Sequence, residues 1–158
     1  SNPTGAVYSA AELAALGDVL ARHPHVWIAS DEIYALICYA PFTSFREACP
    51  DLADRTIVIS GDTGPFDGLV EIATGADLLI HEAYGAGLDL RQPETQLYHG
   101  TFHTSAIKVG EIAAAAGVGM VVLHHQLHLA GDTPEEMVEQ VRLNFDGEVA
   151  YGRDLEVY

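Results

Sequence analysis

Ile57-Val58-Ile59-Ser60-Gly61-Asp62-Thr63-Gly64-Pro65 is the stretch whose reading decides the architecture of this chain. Its first three side chains are branched and apolar, and with Thr56 they predict a strand over 56–60. Gly61 and the pair Gly64-Pro65 then impose a turn. That turn carries a carboxylate, Asp62, just past a strand end, which in an α/β sheet is where ligands usually bind.

The flanking segments supply more strands with helices between them. On the N-terminal side, Leu13, Leu16, Val19 and Leu20 repeat at helical spacing. With Ser9 and Glu12 forming a capping box, they predict a helix over 10–22. Val26 to Ala29 follows as a short buried strand. On the C-terminal side, a helix is expected over 66–73 and a strand over 77–80 that runs into His81-Glu82. Residues 84–102 have no clear period and read as a loop. A helix over 104–116 ends at Gly117, and the strand 120–123 delivers His124 and His125 at its end. Thr133, Pro134 and Glu136 start another helix, which runs to about Asn144. Two strands, 148–151 and 154–158, close the chain. Strands alternating with helices predict the α/β class, built as a layered α/β sandwich.

Composition narrows the function. The 158 residues hold 23 acidic and 7 basic side chains, a formal net charge of −16. Such a chain is a poor partner for nucleic acid, whose backbone is bound mainly by Lys and Arg, and for anionic membrane surfaces. The expected partner is a small-molecule substrate. Of the basic residues only Lys108 is a lysine, so chemistry that needs an internal amine must use it. The apolar stretch Ile112 to Leu123, broken by Gly117 and Gly119, is too short to span a membrane. No basic region precedes an apolar run at the N-terminus, so no signal peptide is expected. The chain opens on Ser1, as a processed chain or an excised fragment would. Cys38 and Cys49 form no C-x-x-C pair and suit a reducing cytoplasm.

Six of the eight histidines lie between residues 81 and 128. His81, His124 and His125 fall at or just past predicted strand ends, and His103 precedes a helix. Imidazoles with a carboxylate such as Asp62 suit zinc or a similar borderline metal, manganese included. The same residues also read as hydrogen-bonded polar groups at strand ends, without metal. His23, His25 and His128 read as surface or loop residues.

From residue 59 onward the chain resembles the C-terminal half of a metallo-β-lactamase-fold hydrolase of the ribonuclease Z and arylsulfatase-like branch. The resemblance is carried by Ser60-Gly61-Asp62-Thr63-Gly64-Pro65, by Asp77-Leu78-Leu79-Ile80-His81-Glu82-Ala83 and by His103-Thr104-Ser105-Ala106. Val122-Leu123-His124-His125 and Tyr151-Gly152-Arg153-Asp154-Leu155 complete it. It implies that Asp62 bridges two metals, that His125 is a ligand of the second, and that His103 is catalytic, helping to protonate the leaving group. The string H-x-H-x-D-H, which that fold carries in its N-terminal half, does not occur in this chain.

Residues 1–58 resemble a different family, the fold-type I aminotransferases of the aspartate aminotransferase group. Asn2-Pro3-Thr4-Gly5, Ser30-Asp31-Glu32-Ile33-Tyr34, Phe42-Thr43-Ser44-Phe45 and Asp54-Arg55-Thr56-Ile57-Val58 carry this resemblance. It implies that Asn2 and Tyr34 contact the ring oxygen of pyridoxal phosphate (PLP) and that Asp31 pairs with the ring nitrogen. Where a Ser-Lys pair with the Schiff-base lysine would follow, the chain reads Gly61-Asp62-Thr63, so PLP is not expected to bind.

The chain therefore reads as a chimera: an aminotransferase-like helix–strand segment, 1–58, joined in one compact unit to an incomplete metallo-β-lactamase-like C-terminal half, 59–158. Three functions follow. The first is a weakened metal-dependent hydrolase of a small ester or phosphodiester. The second is a non-catalytic α/β scaffold. The third is a PLP-binding fragment without its lysine. Exposed sheet edges would favour a homo-oligomer.

Overall fold

The computed structural model of the chain describes residues 6–31, 40–66, 68–87, 93–129 and 131–158. It divides into two compact units, Ser1–Ile59 and Ser60–Tyr158.

In the first unit, helix α1 (Ala10–Ala21) starts at Ser9, whose hydroxyl and backbone exchange hydrogen bonds with Glu12 in the expected capping box. Strand β1 (Ile28–Asp31) begins two residues later than expected. Its partner, not the local apolar run, sets its limits: Ile28 pairs in parallel with Thr56 and Asp31 with Ile59, on strand β2 (Thr56–Ile59). Between the two strands lie a short helix, α2 (Phe45–Ala48), and a 3-10 turn at Pro50–Arg55. Phe45, Cys49 and Leu52 form a small core with Leu13, Leu20 and Ile28. Gly17 is required where α1 meets this core, because a Cβ there would come within 2.5 Å of the Cys49 sulfur. The Arg55 guanidinium donates to the carbonyls of Leu20, His23 and Val26, tying the residue before β2 to the end of α1 and the turn that follows it.

The second unit is built on three parallel strands with β4 (Met120–Leu127) between β3 (Leu78–Tyr84) and β5 (Glu148–Tyr151). Parallel neighbours need crossovers, which here are helices. Helices α4 (Pro93–Phe102) and α5 (Ala106–Ala116) connect β3 to β4, and α6 (Pro134–Arg142) connects β4 to β5. A shorter helix, α3 (Gly68–Ala73), precedes β3. The core joins Leu79 and Ala83 of β3, Val121 and Leu123 of β4, Val109, Ile112 and Ala113 of α5, and Met137 and Val141 of α6. Full burial of a side chain the size of Leu123 contributes roughly 1.5–3 kcal/mol. Helices α5 and α6 touch at Gly110, where a Cβ would lie 2.2 Å from the Val141 carbonyl oxygen. Gly117 ends α5 with φ at 64°, as its position predicts.

Three further expectations change. Residues 93–102 are helix α4 and not loop. Pro93 in its first turn, followed by Glu94, suits a helix start. Its repeat is hidden because, among the described side chains of the helix, the half-buried one is a histidine, His99, set against Tyr84, while Leu97, Tyr98 and Phe102 are exposed. No strand forms over 154–158. Leu155 takes φ of 65° and is fully exposed, and the Tyr158 hydroxyl accepts from the backbone of Arg153, turning the chain back on itself. Strands β3 and β4 each run four residues beyond the expected ends at Ile80 and Leu123. His81, Glu82, His124 and His125 thus lie within the sheet.

Candidate metal centre

The turn after Ile59 is pinned from beneath. The Ser60 hydroxyl donates to the Gly61 carbonyl (2.9 Å) and accepts from the Glu82 backbone N–H (3.3 Å). Gly61 adopts φ of 59°, which a side chain would resist. Glu82 is wholly buried, and its Oε1 accepts from the N–H groups of Thr63 (3.3 Å) and Thr104 (2.8 Å). The Thr104 hydroxyl in turn donates to the Thr63 carbonyl at 2.7 Å. One carboxylate oxygen therefore ties the turn that carries Asp62 to the segment that carries His103.

The other oxygen of Glu82 faces His103. Its Oε2 lies 3.3 Å from His103 Nδ1, within ion-pair reach, although neither atom makes a hydrogen bond among the described residues. Burial pushes the Glu82 carboxyl up to about 8, against the pull of the Thr104 and Thr63 N–H groups and with a smaller upward push from Asp62. Desolvation lowers the pKa of His103; Asp62 acts to raise it, and His125 and His99 to lower it further.

His125 reaches the same point through a fault in the sheet. Glu82 pairs with His124 and Ala83 with Gln126, so His125 has no counterpart on β3 and forms a bulge. Its φ of 41° is uncommon for a residue with a side chain. Bulges of this kind re-aim side chains and gather next to active sites. Here the result is His125 Nε2 at 3.3 Å from Asp62 Oδ1, with the rings of His103 and His125 stacked at 5.8 Å between centroids. One donor atom from each of Asp62, His103 and His125 lies within 4.8 Å of the others. His99 and Tyr98 extend the ring series from His103 along α4, with centroid steps of 5.8 and 5.1 Å. Two imidazoles and a carboxylate suit zinc or a neighbouring divalent metal.

The other candidates lie elsewhere. His81 is fully buried beside the core positions Leu79 and Ala83, and its Nδ1–H donates to the Glu82 carbonyl at 2.7 Å. Its Nε2 has no hydrogen-bond partner, and burial pushes its pKa down to about 4. His124 sits opposite Glu82 and outside the cluster. His128, expected at the surface, is exposed and bridges the Asp132 carbonyl and the Tyr151 hydroxyl, both at 2.6 Å. His23 and His25 are exposed neighbours in the first unit.

Of the proposed PLP contacts, Asn2 and Tyr34 lie outside the described residues, and Asp31 is the exposed last residue of β1. The donor set does not fit an aldehyde cofactor. The sole lysine, Lys108, is half exposed on α5 with its ammonium 2.7 Å from Glu111.

Glu82, which ties the elements of this cluster together, is the residue that the sequence reading left without a role. Its signal is an ionisable side chain inside an apolar strand, which is costly to bury unless partnered.

Comparison with known proteins divides the chain. Residues 1–63 match the family described as aminotransferase class I and II. Over 63 residues the chain is 51% identical to the aspartate/prephenate aminotransferase of Cereibacter sphaeroides, covering 39% of this chain and 16% of that protein. Over 100 residues it is 33% identical to the ribonuclease Z of Haloferax volcanii, covering 63% of this chain and 30% of that protein. The metallo-β-lactamase-fold protein YhfI of Bacillus subtilis superposes with a TM-score of 0.52 at 26% identity, covering 65% of this chain and 39% of that one. The chain thus spans less than a third of the length of either curated relative. Its first 63 residues are aminotransferase-like and the rest is similar to the metallo-β-lactamase fold, the pattern of a chimera.

Proposed function

We propose that residues 60–158 form a metal-dependent hydrolase site for a small ester or phosphodiester, held by Asp62 and His125. The observation that carries this reading is the convergence of donor atoms from Asp62, His103 and His125 within 4.8 Å. A divalent ion there supplies Lewis acidity and makes water acidic enough to attack at neutral pH. Asp62 and His125 bind and orient that ion, and Glu82 fixes the ring of His103 at the edge of the site. The exposed rings of Tyr98 and Phe102, 5.1 Å apart and tilted by 58°, give α4 an apolar surface near His99 and His103. That surface and the net charge of −16 favour a small, weakly charged substrate over RNA.

The scaffold reading keeps one observation of its own, the small share of either relative that the chain covers. The test is metal analysis of protein purified without chelator, followed by hydrolysis of p-nitrophenyl esters and phosphodiesters. About one equivalent of zinc or manganese, and turnover abolished by chelator and restored by metal, is the expected result. Less than about a tenth of an equivalent would leave the scaffold standing.

A further inference from the structure

A catalytic zinc is generally held by three protein ligands with a fourth position open, and Asp62 with His125 supplies only two. We infer that in this chain His103 is a third metal ligand, with Glu82 behind it as the carboxylate that orients its ring. The three residues then form a single-metal site that needs no other part of the fold. This rests on the metal-hydrolase reading of the same site, and it departs from the proton-donor role that the resemblance implies for His103.

Three observations carry it. First, donors on a tetrahedral ion with bonds of about 2.0–2.1 Å stand about 3.3–3.4 Å apart. His125 Nε2 and Asp62 Oδ1 are already 3.3 Å apart, so that edge is in place without an ion. The remaining separations, within 4.8 Å, close by rotations of side chains that are about half exposed at Asp62 and His125.

Second, metal-bound histidines almost always give their other ring N–H to a carboxylate, a carbonyl or water. Glu82 offers that group in a form with little other use. Its Oε1 is occupied by two backbone N–H groups, and its Oε2 is buried, lies 3.3 Å from His103 Nδ1, and like that nitrogen makes no hydrogen bond among the described residues, so a small turn of the ring is enough to pair the two. With Nδ1 turned to Glu82, the lone pair left for a cation is on Nε2. A cation there draws electrons from the ring, strengthens the Nδ1–H donor and favours the ionised carboxylate, so the pair and the metal support each other.

Third, the bulge at His125 brings its ring against that of His103. A regular strand would have turned residue 125 to the face opposite that of Glu82 and His124.

The test uses the full chain, with zinc affinity measured by chelator competition and site geometry by the visible spectrum of the cobalt form. The variants are His103→Ala and Glu82→Gln, with His124→Ala as control. Expected are one tight site in the parent, a loss of at least about 100-fold in affinity for His103→Ala, about 10-fold for Glu82→Gln, and a changed cobalt spectrum in His103→Ala. Parent-like affinity and cobalt spectrum in a folded His103→Ala protein overturn the inference and return His103 to proton transfer. A second readout needs no variant: zinc should shift the ring nitrogen resonances of both His103 and His125. A shift at His125 alone overturns the inference. A parent protein that binds no zinc removes the hydrolase reading as well, so the two failures are distinguishable.

Discussion

The two units of this chain are similar to different families, and they differ in how far they bring together the residues that those similarities single out. Residues 62, 103 and 125 are far apart in sequence, yet the second unit brings their donor atoms within 4.8 Å. It does so because parallel strands joined by helices return the chain repeatedly to the same edge of a sheet. In the first unit the family signature persists in residues such as Asp31, but the amine its chemistry needs is absent: Lys108, the sole lysine, belongs to the second unit and pairs with Glu111. Candidate donors thus converge where one compact unit supplies all of them, and the residues of the first unit have no lysine within that unit to work with.

The largest effect expected concerns the cores behind the two units. Leu123→Ala removes a fully buried side chain from the larger core and should cost about 3–5 kcal/mol in chemical denaturation. Leu52→Ala, in the small core of the first unit, should cost nearer 2 kcal/mol. Equal costs would show that the two cores are equally consolidated and weaken the contrast. The next largest effect is at the metal: Asp62→Ala should reduce zinc affinity at least about 100-fold, while Asp31→Asn should leave it unchanged. Any loss in Asp31→Asn would bring the first unit into the site.

A pH series sharpens the comparison further, because opposite faces of β3 carry His81 and Glu82. His81 titrates near 4 when folded and near 6.5 when unfolded. Between those values the unfolded chain binds the extra proton, so stability falls as pH drops from 6.5 to 4. Glu82 titrates near 8 when folded and near 4.5 when unfolded, so its contribution falls as pH rises from 4.5 to 8. The metal-free second unit should therefore be most stable between 4.5 and 6.5, where the two slopes oppose. His81→Gln should flatten the acid limb and Glu82→Gln the alkaline one, read from urea midpoints. An acid limb unchanged in His81→Gln would mean that other groups set it. The smallest effect is local: Ser9→Ala should cost the first unit about 1 kcal/mol, since only the capping box of α1 is lost.

The parts of this molecule legible in the sequence are those governed by neighbours along the chain. The capping boxes of α1 and α6 and the C-cap at Gly117 follow from residues within a few positions of one another. Asp62, His103 and His125 stand out because each is a potential ligand at a turn, a helix entry or a strand end. What could not be read depends on partners distant in sequence. The bulge at His125 exists only in the register of β4 against β3, some 40 residues away. The importance of Glu82 emerges only when burial and three separate contacts are counted together. Helix α4 escaped because, among its described side chains, the half-buried one is the polar His99 against Tyr84, while Leu97, Tyr98 and Phe102 are exposed.

X-ray absorption at the zinc edge of the loaded full-length chain tests the central claim most directly. Asp62, His103 and His125 on one ion predict two imidazoles and one carboxylate oxygen at about 2.0–2.1 Å, and replacement of His103 should remove one imidazole. A parent spectrum with a single imidazole, or one that His103→Ala leaves unchanged, would contradict it.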